Sequence, residues 1–158
     1  MADKSFWDGI PWAIAVIGWA CTHFFSEARE RRKEVRSQLD KFYEQLQKLE
    51  QDGRAFHCSE KFDGIKSADL ITRIYSLERL LTRVKIVSVD NLNPYIIAVR
   101  RALTLNNFDV SAFVSQTHSS PIALEISAAI EDLELAIEHQ YTVRYPNKFP
   151  YFQFNIRN

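Results

Sequence analysis

The residues of this sequence that could do thiol or metal chemistry are few. His57 and Cys58 are adjacent, and such a pair binds a metal ion or forms a reactive thiol when further ligands or a base lie nearby. The sequence lacks the second Cys/His pair that a structural zinc site requires, and Cys21, its other cysteine, lies in an apolar run. We therefore predict no metal site, no cofactor and no internal disulfide.

Acid–base chemistry is equally weakly indicated. Glu131, Glu134 and Glu138 would be neighbours on a helix, but a di-metal bundle needs Glu-x-x-His motifs, which are absent. His118 and His139 flank the same helix, and a protonated histidine near its end suits the negative helix terminus, which is a structural role. The sequence contains no phosphate loop, dinucleotide fingerprint or nucleophile elbow. We predict no catalytic residue and no enzyme.

Composition limits the fold and the partners. The chain has 158 residues, 46% of them hydrophobic, and 20 basic residues balance 20 acidic ones. Binding to nucleic acid needs a basic surplus, so we expect no nucleic-acid partner. With 4 Gly and 5 Pro, the chain lacks the turn residues of a many-stranded protein. An all-α fold is predicted.

Residues 9–26 form an uncharged, bulky run near the N-terminus. At 1.5 Å per residue a helix of this length reaches about 27 Å, close to the hydrocarbon thickness of a bilayer. Large side chains point in all directions around the helix, which favours spanning a membrane over lying flat on it. The predicted membrane-facing residues are Ile10, Trp12, Ile14, Ile17, Trp19, Phe24 and Phe25. A short buried core helix is the alternative interpretation.

A basic cluster follows this run and orients it. We call Arg29, Arg31, Arg32, Lys33 and Arg36 the basic collar and expect it to contact lipid headgroups. The positive-inside rule then places the N-terminus outside and the rest of the chain in the cytoplasm, as a single-pass membrane protein. The predicted division is a membrane segment over residues 1–26 and a cytoplasmic helical bundle with a C-terminal tail over residues 27–158.

A heptad pattern continues beyond the apolar run. Its apolar positions are Val35, Leu39, Phe42, Leu46 and Leu49. Further back, Gly18 and Thr22 form a small-xxx-small step that permits close approach of helices in lipid. These residues either form a seam between copies in a homo-oligomer or, from Val35 onward, pack inside the chain's own bundle. One continuous helix from about Ile10 to about Asp52, stopped by Gly53, is predicted.

Three further helices complete a predicted four-helix bundle. The second starts at the candidate cap Ser67 and ends near Val87, after a loop over residues 51–65. Asn93-Pro94 and Ser120-Pro121 each read as a cap followed by proline, opening the third and fourth helices. The fourth should end near Tyr141, and an extended, aromatic-rich tail follows.

A short N-terminal membrane helix followed by a small helical bundle resembles the membrane-anchored accessory proteins of prokaryotic antiviral systems, some of which have a HEPN-like bundle and form pores. HEPN ribonucleases carry an arginine and, after four to six intervening residues, a histidine. None of His23, His57, His118 and His139 follows an arginine at that distance. The resemblance therefore implies a bundle without nuclease activity.

Two functions follow from these observations. The first is a non-enzymatic, single-pass membrane-anchored helical protein that self-associates or holds a protein partner on its bundle. The alternative is an oligomeric pore-forming or membrane-perturbing effector, with Cys21, Thr22 and His23 facing a lumen and a role in antiviral defence. Both have the lipid bilayer as a partner.

Overall fold

Four α-helices make up the regular structure of the part of the chain that is described. The computed structural model describes residues 4–84 and 88–146. Helix α1 spans Lys4–His57, α2 spans Gly64–Arg83, α3 spans Val89–Thr104 and α4 spans Pro121–Arg144. The all-α prediction is confirmed.

The chain divides into two compact units, one up to Ser37 and one from Gln38 onward. The sequence placed its boundary earlier, at residues 26 and 27. Helix α1 contributes to both units. The second unit contains the remaining helices and the hydrophobic core.

The core of the second unit draws apolar side chains from all four helices. The heptad residues Leu39, Phe42, Leu46 and Leu49 of α1 are at most 3% exposed. The stripes of α2 and α4 follow the 3.6-residue helical period and are buried with them. The other core residues of α2, α3 and α4 include Leu70, Ile74, Leu77, Leu81, Leu92, Val99, Leu103, Ile126, Ile130, Leu133 and Ile137.

The heptad seam is therefore used inside the chain. Because Leu39, Phe42, Leu46 and Leu49 already lie in the core of their own chain, they offer no face to a second copy. Their burial fits the intrachain alternative. Val35, in the first unit, is half-buried.

Gly53 lies inside α1, whereas it was predicted to end the helix. The helix continues one turn further, to His57. A Cβ at position 53 would overlap Cδ2 of Leu103, which is fully buried on α3. The glycine therefore permits close packing of α1 on α3, and the predicted loop over residues 51–65 is shorter than expected.

The predicted helix starts are correct for α4 and wrong for α2 and α3. Ser120 caps α4 by accepting a hydrogen bond from the backbone N–H of Ala123, with Pro121 directly behind it. The cap of α2 is Asp63 rather than Ser67, since its carboxylate accepts from the N–H groups of Ile65 and Lys66.

Two prolines lie inside helices, whereas the sequence analysis predicted a helix start beside each of them. Pro94 falls within α3, which starts at Val89, and Pro11 falls within α1, which starts at Lys4. Pro94 is the sixth residue of α3 and Pro11 the eighth of α1, beyond the first turn, so each proline removes one intrahelical hydrogen bond. The predicted end of α2 near Val87 and most of the aromatic tail lie outside the described residues.

Candidate membrane-contact segment and polar sites of the bundle

The apolar run of the first unit is exposed on every side. Its large side chains Trp12, Ile14, Val16, Ile17, Trp19, Phe24 and Phe25 are 61–76% exposed. The side chain of Ile10 lies outside the described residues. A soluble monomer rarely presents a continuous apolar surface of this kind, because its contact with water is unfavourable. Residues 9–26, here called the apolar segment, are therefore a candidate contact surface.

Two polar side chains of the apolar segment, Thr22 and His23, find partners on the helix itself. Thr22 Oγ1 donates to the backbone oxygen of Gly18 at 2.8 Å. The ring of His23 stacks on Trp19, with 5.5 Å between centroids, and its Nε2 lies 3.7 Å from Glu27 Oε1. A hydroxyl that is satisfied within its own helix is compatible with apolar surroundings.

Acidic residues interrupt the basic collar. Arg29, Arg31, Arg32 and Lys33 are exposed and Arg36 is half-buried. Glu27, Glu30 and Glu34 lie between them, and Lys33 Nζ is 3.0 Å from Glu30 Oε1. Five basic residues thus face three acidic ones over residues 27–36. The electrostatic attraction of this region to anionic headgroups is weaker than the basic residues alone would give.

In the part of the chain that the structure describes, no helix meets the combined requirement of length and apolar character for crossing a bilayer.

His57 and Cys58, adjacent in sequence, face different surroundings. His57 is fully buried, and its Nε2–H donates to the backbone oxygen of Leu103 at 3.1 Å. Its Nδ1 lies 3.4 Å from Nδ2 of Asn107, which donates to it. Desolvation by burial is the main cause that lowers the pKa of His57 below 6.5. This neutral, hydrogen-bonded histidine is a structural residue of the core.

An aromatic cluster lies beside His57, whose ring contacts Phe56 and Phe108. Phe56, Phe62, Phe108 and Phe113 pack with centroid separations of 5.2–6.5 Å, mostly edge to face. Three of the four rings come from residues outside the helices. These three phenylalanines follow no helical periodicity, so the sequence pattern did not predict the cluster. The cluster fixes the loop before α4 against the end of α1.

Cys58 lies beside His118, which is 60 residues further along the chain. The Sγ atom of Cys58 is 3.7 Å from Nδ1 of His118. Cys58 is half-buried and His118 is exposed. Sequence reasoning placed His118 just before α4 but had no means to bring it to Cys58. Among the described residues, no group of three or more metal-ligating side chains is present.

A half-buried carboxylate cluster lies between α1 and α4. Burial, and then the neighbouring charges of Glu50 and Glu131, raise the pKa of Glu134 above 4.5. Arg54 pairs with Glu50 at 3.4 Å, and its Nη1 also donates to Ser127 at 3.1 Å. Glu138 accepts a hydrogen bond from the hydroxyl of Tyr43 at 3.2 Å. These contacts join the two helices and use the acidic face of α4 structurally.

A pocket among the core side chains of the bundle is too small for a ligand. It has a volume of about 20 Å³ and is lined mainly by apolar residues, among them Phe42, Leu77, Val99 and Leu133. One water molecule occupies about this much space.

The chain has no match among protein-family models, curated proteins or solved structures.

Proposed function

We propose that this protein is a non-enzymatic, membrane-associated helical protein. Its apolar segment inserts into a bilayer, and its bundle is held on the cytoplasmic side. The observation that carries the proposal is the exposure of seven large apolar side chains around the whole helix. At roughly 1.5–3 kcal/mol for each large apolar side chain, removing them from water gives on the order of 10 kcal/mol.

The polar groups of the apolar segment support insertion. The hydroxyl of Thr22 already donates to Gly18, so lipid contact leaves no unpaired donor there. Trp12, near the start of the apolar segment, has an amphipathic ring of the kind enriched at membrane–water interfaces. His23 stacks on the ring of Trp19.

Residues 27–36 support the orientation. Their basic surplus directly follows the apolar segment, and basic residues concentrate on the cytoplasmic side of membrane helices. The interleaved glutamates make the attraction to anionic lipid modest, so apolar insertion supplies most of the binding free energy.

In this proposal, copies of the protein associate through their apolar segments. Nothing lies within 4 Å of the position that a Cβ would take at Gly18. A second helix can therefore approach closely over Gly18 and Thr22, as small residues allow in lipid. The bundle remains free to hold a protein partner.

Tryptophan fluorescence tests the proposal, because all 3 tryptophans of the chain, Trp7, Trp12 and Trp19, lie at or near the apolar segment. We expect a blue shift of the emission when lipid vesicles are added, and co-flotation of the protein with the vesicles. Brominated lipids report depth. Quenching by bromine near the bilayer centre would assign a single pass, and quenching near the headgroups alone would assign an interfacial helix.

Charged variants sharpen this test. Ile14→Glu combined with Ile17→Glu should reduce vesicle binding at least tenfold, since a carboxylate in lipid is costly. The control is Val110→Glu, a similarly exposed apolar position of the second unit, and it should leave binding unchanged. Equal binding of the wild type and the double variant, or no flotation of either, would contradict the proposal. Release of a trapped dye would instead favour a pore.

A further inference from the structure

We propose that Cys58 and His118 form a thiol–imidazole pair that exchanges with small disulfides of the glutathione class, making Cys58 a site of reversible modification. The site lies wholly in the second unit and does not depend on membrane binding. It rests on the contact between a half-buried thiol and an exposed imidazole from distant parts of the chain.

The fold holds the two side chains together through the backbone around them. Gln116 N–H donates to the backbone oxygen of His57 at 2.9 Å, and Ser115 Oγ donates to that of Cys58 at 3.4 Å. Arg54 lies on α1, one turn before Cys58, and donates from Nη2 to the backbone oxygen of His118 at 3.2 Å. The loop before α4 is thus fastened to the end of α1 at three points around the pair.

The charged side chain that contacts the backbone of the pair, Arg54, has partners of its own. On α1 the guanidinium of Arg54 is paired with Glu50, and on α4 the neighbouring group is the neutral hydroxyl of Ser127. From the loop, His118 itself faces the thiol. His57 points away into the core, where its ring nitrogens are used by Leu103 and Asn107. The imidazole of His118 is the base that contacts Cys58.

The exchange step balances with the disulfide as oxidant. The proton on Sγ of Cys58 passes to Nδ1 of His118, and the thiolate attacks one sulfur of the small disulfide. A new S–S bond forms to Cys58 while the S–S bond of the reagent breaks. The second sulfur leaves as a thiolate and takes a proton from the imidazolium. Cys58 is oxidised to a mixed disulfide and the leaving sulfur is reduced to a thiol.

The test uses oxidised glutathione as the probe on the full-length chain in detergent. Cys21→Ser serves as the background, so that Cys58 is the reacting thiol, and mixed-disulfide formation is followed by intact mass. At pH 7 we expect His118→Gln to slow the reaction of Cys58 about tenfold, because an ordinary cysteine is only a few per cent thiolate at that pH. Near pH 10, where ordinary thiols are ionised, the two rates should converge.

Three outcomes would overturn the proposal. Equal rates at pH 7 would show that His118 does not assist the thiol. A variant that is slower at both pH values would show that His118 only shapes access to Cys58. The same chain unfolded in urea, where the pair is broken, supplies a second comparison that needs no variant. Folded Cys58 should react at least as fast as unfolded Cys58 at pH 7, and a slower folded rate would also contradict the proposal.

Discussion

Single residues at the end of α1 show how a polar side chain is accommodated in this core. His57 is fully enclosed, yet both its ring nitrogens are hydrogen-bonded, one to Leu103 and one to Asn107. Asn107 has a left-handed backbone, with φ of 56°, and its amide also pairs with Val114 through both its oxygen and its nitrogen. Asparagine tolerates this conformation better than most residues. One asparagine thus connects a buried imidazole to a surface loop.

The lowered pKa of His57 predicts acid sensitivity of the bundle. Well above pH 6.5 the imidazole is neutral in both the folded and the unfolded chain. As the pH falls below 6.5, the unfolded chain binds a proton that burial keeps from the folded one, so the free energy of unfolding decreases. The loss cannot exceed about 1.4 kcal/mol per pH unit for one group.

Urea unfolding followed by circular dichroism between pH 8 and pH 5 measures this loss. His57→Gln retains hydrogen-bonding capacity without titrating in this range, so its stability should depend less on pH than that of the wild type. The histidine explanation fails if both chains lose stability equally between pH 6.5 and pH 5.

At the scale of the helices, the start of α4 was predictable because its physical causes are local. The Ser120-Pro121 start of α4 is a cap and a pre-set backbone angle, and both act within a few residues. The end of α1 was missed because a glycine can either stop a helix or permit close packing. Gly53 does the second, and its packing against Leu103 depends on a helix that is distant in sequence. The pairing of Cys58 with His118 has the same origin, since no spacing rule relates residues 60 positions apart.

Gly53→Ala tests the packing of α1 on α3. Alanine favours a helix by about 1 kcal/mol over glycine, but overpacking a core costs about 1–3 kcal/mol. We expect a net loss of about 1 kcal/mol in unfolding free energy, because Leu103 is fully buried and must shift.

Gly64→Ala is the matched control in the same helical bundle. A Cβ at Gly64 meets Phe62 only at 3.8 Å, an ordinary contact, so this change should not destabilise the chain. Denaturant midpoints of the two variants give the comparison. A Gly53→Ala chain as stable as the wild type would show that Leu103 repacks without cost.

For the whole molecule, the important distinction is between apolar side chains that are buried inside their own chain and apolar side chains that are exposed. The heptad residues of the second unit are buried by their own chain, while the apolar segment of the first unit is exposed. Association between copies through an apolar helix is therefore expected of the apolar segment. Cys21, which is exposed there, lies on the same side as Gly18 and Thr22 by helical spacing.

Oxidative cross-linking through Cys21 tests association of the apolar segments. In a Cys58→Ser background, we expect a disulfide-linked dimer in detergent or vesicles. Gly18→Leu should reduce its yield several-fold by separating the helices. Ala20→Leu adds similar bulk on the opposite side and should leave the yield unchanged. Absence of the dimer under conditions where Cys21 reacts with a maleimide would contradict the proposed pairing.

The turn between Asn107 and Val114 has a practical consequence. Asp109 accepts hydrogen bonds from the backbone and hydroxyl of Ser111, and Val110 is 70% exposed at the tip. The contacts that anchor the loop lie on either side of this tip, so an inserted epitope or fluorophore there leaves them in place. Such a handle would make the bundle visible in a cell while the N-terminal residues keep their natural sequence.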